Sequence, residues 1–302
     1  MANSMPLIFS KGFTPVRFRR DWVRIAKAKN LFCETTMPKI LIYILAFATL
    51  TSPLLAQTPP NTSIKQFPPQ STVVESVLVP VPREIFNTLD KFANSNWRAV
   101  QRPELAQWRP HSDQAENALL LGVVIAEGFI AVEDEDAGEA KSIGRAVLVL
   151  ARGLGVEKAA LRRSRSIVEH AEKGDWRAVR KEWDGLLPDV QQGMNELKSQ
   201  QLAQLVSLGG WLRGTEALAA LVLQNYSNQE AELLRQPAMF DYFEKRLAGM
   251  SDDVRTNPII VRMREGIQKI RLLLPHEDAQ ISQKTVKEIS TVSEKLLKGL
   301  SR

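Results

Sequence analysis

Between residues 113 and 132 the chain reads DQAENALLLGVVIAEGFIAV, and from Ala118 to Val132 Glu127 is the only charged residue. A helix that is apolar on nearly every side belongs inside a bundle of other helices. Asp113 and Glu116 have the spacing of a capping box, which fixes the expected start. Ala118, Gly122 and Ala126 recur every fourth residue and form a smooth ridge that a second helix can approach closely. The apolar run falls short of the ~20 residues that a bilayer span requires.

A second long apolar helix is predicted over 201–224, lined by Leu202, Leu205, Leu208, Leu212, Leu218 and Leu221. Gly210 and Gly214 give it a notch. Arg213 and Glu216 are the charges within its apolar part, and Arg213 is the expected partner of Glu127.

Shorter amphipathic patterns surround these two. Helices are expected over 83–93 (behind Pro82), 139–154 (ended by Gly155), 157–173, 176–197 (kinked or split at Pro188), 228–247 (disturbed at Pro237) and 259–274 (capped by Asn257-Pro258), with a short piece over 97–108. Residues 73–81 are β-branched and read as one short extended segment. Residues 278–300 place Ile281, Thr285, Ile289, Val292, Leu296 and Leu300 near heptad spacing. That seam either folds back on the domain or joins another copy or partner. Trp97-Arg98-Ala99-Val100 and Trp176-Arg177-Ala178-Val179 repeat four letters, which points to duplication of a helix pair. The expected fold is all-α, a bundle of about eight helices around two long apolar ones, since no β–α alternation is present.

The N-terminal part has a different character. Met37-Pro38-Lys39 leads into an apolar core over 40–50, a break at Ser52-Pro53, and Leu54-Leu55-Ala56. This is the layout of a secretory signal peptide over 37–56, with cleavage expected after Ala56. Residues 1–36 form a basic leader or a misassigned start, with a twin-arginine signal at Arg19-Arg20 or an organelle presequence as alternatives. Residues 57–81 form a Pro-rich linker with the short extended segment, 82–275 the helical domain, and 276–302 a C-terminal amphipathic helix. Asn61-Thr62-Ser63 is a glycosylation sequon, relevant only to a eukaryotic secretory route.

Charge refines this picture. The formal excess of +6 is accounted for by residues 1–36, with seven basic and two acidic side chains, together with Lys39. The remainder is neutral and carries no global nucleic-acid footprint. The single cysteine, Cys33, precedes the signal segment. A chain cut after Ala56 therefore has no disulfide, thiolate nucleophile or cysteine metal site.

The chain holds no P-loop, G-x-S-x-G elbow, H-E-x-x-H, Glu-x-x-His pair or C-x-x-C-H. Asp134-x-Asp136 begins like a calcium loop, but Glu139 and Arg145 stand where that loop needs Gly and Glu. Arg162-Arg163-Ser164-Arg165 is either an anion site or a solvated face. A carboxylate inside a bundle must be paired or protonated, so Glu127 belongs to a structural ion pair or to a ligand or acid/base site.

The expected function is that of an exported, soluble, non-enzymatic interaction or envelope-associated module, periplasmic or extracellular. It would bind an unknown protein or self-associate through 278–300, and meet a membrane only through an uncleaved signal segment. The alternative is a small-molecule or metal-ion binder with an acidic pocket near Glu127. Its speculative ligand-binding residues are Glu127, Arg213 and Glu216, with Glu133 beside them if the ligand is a hard cation. No catalytic residue, metal set or cofactor is assigned.

Overall fold

Asp113 accepts the backbone N–H of Glu116 at 2.9 Å and so starts the first long helix where the capping pattern placed it. In the computed structural model, residues 72–74, 77–79, 90–92 and 94–300 are described, all within a compact unit spanning Ser63–Arg302. The other unit, Met1–Thr62, lies outside the described residues, and so do the basic leader, the signal segment, the sequon and most of the helix expected over 83–93.

The elements in order are β1 (Thr72–Val74), β2 (Val77–Val79), 3-10 turns at Asp90–Phe92, Trp97–Ala99 and Pro103–Gln107, then α1 (Gln114–Glu133), α2 (Ala137–Gly153), α3 (Glu157–Glu172), α4 (Trp176–Glu196), α5 (Gln200–Gln224), α6 (Asn228–Ala231), a 3-10 turn at Glu232–Leu234, α7 (Pro237–Ala248), α8 (Asp252–Arg255), α9 (Pro258–Leu273) and α10 (Gln283–Leu300). The fold is all-α. The extended segment expected over 73–81 is instead a small antiparallel hairpin, with Thr72 opposite Val79.

α1 is long and apolar enough to cross a membrane, but 94% of its apolar window is buried inside the bundle, as in the core helix of a soluble protein. α5 lies along it. Where they cross, a Cβ added to Gly122 would strike the Val206 carbonyl oxygen and lie 2.8 Å from the Gly210 nitrogen, and one on Gly209 would strike the Leu119 carbonyl. The small residues of α5 that matter are therefore Gly209 and Gly210. Gly214, the other half of the expected notch, has nothing within 4 Å of its Cβ position.

α4 closes another side of α1. The Trp183 ring fills the space that a Gly128 side chain would take, and its indole N–H donates to the Ile125 carbonyl at 2.8 Å. Pro188 does not split α4, which runs unbroken from Trp176 to Glu196. α2 begins at Asp136, whose carboxylate accepts the Glu139 N–H at 2.9 Å, and ends at Gly155 with φ +75°. The turn between α1 and α2 passes through Glu135 at φ 52°, and that between α4 and α5 through Lys198 at φ 57°. Residues 228–247 form two helices and a 3-10 turn, because Pro237 lacks an N–H and is accommodated as the first residue of α7.

The two four-letter repeats adopt different structures. Trp97–Ala99 is one 3-10 turn, whereas Trp176 opens a helix of 21 residues. A duplicated helix pair is therefore not reproduced.

α10 folds back onto α5 and α9, burying Val286, Ile289, Leu297 and Leu300, with Ile281 of the connector buried beside them. Arg235 donates to the Pro275 and Ala279 carbonyls at 2.6 and 2.8 Å, and Tyr226 to the Ile281 carbonyl at 2.7 Å, which ties down that connector. The seam over 278–300 is thus used within the chain.

Candidate functional site

Glu127 of α1 and Arg213 of α5 face each other across the helix crossing, each 0% exposed. Arg213 Nε donates to Glu127 Oε2 at 2.7 Å, and its Nη2 lies 2.6 Å from the same oxygen. Arg213 Nη1 donates to Glu216, one turn further along α5. Its Nη2 also donates to the Val100 carbonyl at 2.6 Å. The expected pair is present, and Glu216 joins it.

The remaining members come from the segment before α1. Arg102 presents its backbone N–H to Glu127 Oε1 at 2.5 Å and its Nη2 to Glu216 Oε1 at 2.7 Å. Two carboxylates thus meet two guanidinium groups, and every carboxylate oxygen has a donor. Arg102 is followed by Pro103, which disfavours helix at the preceding residue. Arg102 is accordingly non-helical, with φ −127° and ψ 73°, and its N–H is free to leave the local backbone. That Arg-Pro step is the signal in the sequence for this contact; without the fold it does not reveal which acid is met.

More acids lie at the edge of this centre. Gln101 donates to Asp134 at 3.0 Å, and Arg98 stands 3.7 Å from Asp136. Burial raises the Asp134 carboxyl above its ordinary value, with Asp136 adding to the effect against Arg98 and Gln101. Glu139, half-buried in the first turn of α2, is pushed up to about 7 by burial first, then by the negative charges of Glu127, Asp136 and Glu104. Its Oε1 has no hydrogen-bond partner among the described residues. Sequence reasoning did not single out Glu139, because its surroundings are assembled from three separate segments.

The acids expected near a bound cation are otherwise engaged. Glu127 and Glu216 hold Arg213, while Glu133 holds Arg180 of α4. Among the described residues no group of three or more His, Cys, Asp or Glu could hold a metal ion. The Glu127 carboxylate is fully enclosed by its own chain.

The basic run on α3 also has a structural role. Arg163 donates to Asp189 and, at 3.2 Å, to Glu182, both on α4, and Arg162 lies 3.7 and 3.8 Å from the same two acids. The Arg163 guanidinium rests on Gly185, where a side chain would displace it. Through Arg163 the run clamps α3 to α4, while Arg162 and Arg165 are both exposed on α3. Comparison of the chain with protein-family models, with curated proteins and with solved structures found no match.

Proposed function

We propose that this chain is an exported, non-enzymatic helical module that binds a partner protein at the cell envelope. The observation that carries the reading is the saturation of the buried charge centre: Glu127, Arg213, Glu216 and Arg102 satisfy one another. A general acid, base or nucleophile needs a reacting atom within reach, and here each carboxylate oxygen already accepts from the protein. The signal-like layout over 37–56 and the neutral charge of the remainder support export of a module that is not a nucleic-acid binder.

The test is a fusion. A reporter enzyme that is active only after export, joined behind residue 70, should be active with the native sequence. It should fall silent when Ile44 and Leu45 in the apolar core are both replaced by Lys. Activity that survives the double replacement removes export from the proposal. For partner binding, a photo-crosslinking residue at Leu272, which is 85% exposed on α9, should give one discrete adduct in the envelope fraction. A smear identical to that from a crosslinker at exposed Lys158 counts against a specific partner.

A further inference from the structure

The segment from Asn96 to Gln107 lies over the α1–α5 crossing as a strap, and its mode of attachment is that of a bound peptide. Its backbone–backbone hydrogen bonds among the described residues are local turn bonds, with none to the backbone of a helix. It is held instead by side chains of the bundle reading its main chain. Gln224 accepts from the Asn96 N–H at 2.8 Å and donates to the Asn96 carbonyl at 2.9 Å. Arg213 donates to the Val100 carbonyl, and Glu127 accepts the Arg102 N–H. One charged side chain, Arg102, enters the site and meets Glu216, while Trp97, Val100 and Leu105 supply buried apolar anchors. Buried Trp97 leaves its indole N–H without a partner, so the strap is not held by every group it presents.

We infer that Glu127, Arg213, Glu216 and Gln224 form a peptide-recognition site occupied in cis by residues 96–107, and that the strap lifts as a unit to admit an arginine-bearing segment from another protein. When the strap lifts, Arg102 leaves and two carboxylates remain with one guanidinium, so the opened site favours a cationic segment. The ligand needs a carbonyl for Arg213 and, two residues on, an N–H for Glu127 with an arginine side chain for Glu216. This deepens the partner-binding reading by giving it a site and a ligand class.

Two measurements on the full chain test it. In the native protein, hydrogen exchange should show amides of 97–107 exchanging together at least tenfold faster than those of α1 and α5. Exchange of the strap only with global unfolding overturns the inference. In the Arg102→Ala chain, a labelled synthetic peptide of residues 94–108 should bind saturably, and at least tenfold more tightly than to the native chain, where the intact strap competes. The same peptide carrying Arg102→Ala should bind roughly ten- to a hundredfold more weakly, as expected for lost charged hydrogen bonds. No binding, or equal binding of both peptides, overturns it. If the variant chain does not fold, the exchange experiment on the native chain decides. Either failure leaves the export reporter and the envelope crosslink untouched, so the two proposals fail separately.

Discussion

Replacing Glu127 by Ala removes the acceptor of three donors: Nε and Nη2 of Arg213 and the backbone N–H of Arg102. Arg213 keeps Glu216 and the Val100 carbonyl, but its guanidinium stays wholly enclosed while the balancing charge of α1 is gone. Breaking a buried pair from one side typically costs about 3–5 kcal/mol. In a domain of this size each kcal/mol moves Tm by about 2–4 °C, so a fall of about 6–20 °C is expected. A double-mutant comparison separates the pair from the cavity. Glu127→Leu with Arg213→Met removes both charges and fills the space with apolar atoms, and replacing both partners is far less costly than orphaning one. The double variant should therefore melt above the Glu127→Ala protein. Thermal unfolding followed by far-ultraviolet circular dichroism reads both. A Glu127→Ala protein with native helix content that loses less than about 1 kcal/mol refutes the reasoning, since that is the range of a solvated surface pair.

The remaining predictions use the same measurement. Gly122→Ala or Gly209→Ala places a methyl group against the backbone of the facing helix and should destabilise by about 3 kcal/mol or more; Gly214→Ala, in open space on α5, should stabilise through helix propensity by up to about 1 kcal/mol. Glu139 binds its proton more tightly folded, at about 7 against an ordinary 4.5. Its favourable contribution is therefore full below about pH 4.5 and lost as pH rises toward 7. Glu139→Gln should accordingly stabilise at pH 8 by about 1 kcal/mol, after allowing for solvent screening of a half-buried group, and change little at pH 4. A stability difference independent of pH would show that the carboxyl titrates normally. Lys198→Gly should stabilise by about 1 kcal/mol and raise Tm, because φ 57° is left-handed backbone that glycine adopts without strain; a fall would mean that Lys198 has a contact worth more than the strain.

Helix content was legible because it follows from local rules. Asp113, Asp136, Asp175 and Asn257 each cap a helix through a side-chain oxygen, and short polar residues before an apolar period give that away. The pairing of Glu127 with Arg213 was also accessible, since each is a charge inside an apolar helix and needs the other. Arg102 was not, because it lies 114 residues from Glu216 in sequence, in a segment with no period to read. Gly210 and Gly214 looked equivalent as a notch, and spacing alone did not reveal that the crossing point falls at Gly209 and Gly210. The heptad-like spacing of 278–300 stated that an apolar face would be covered, but could not say by what. Here α5 and α9 supply the cover.

The charge centre also determines how the two central helices may slide. A shift of one turn moves a side chain by about 5.4 Å, and it would also bring side chains against backbone where Gly122 and Gly209 now allow close approach. Such a shift would carry Arg213 and Glu216 together away from Glu127 and leave that buried carboxylate without its guanidinium. The misaligned pairing is thereby penalised far more heavily than apolar contact alone could achieve. A handful of ionic atoms thus specifies the same register of the helix pair as the glycine crossing does.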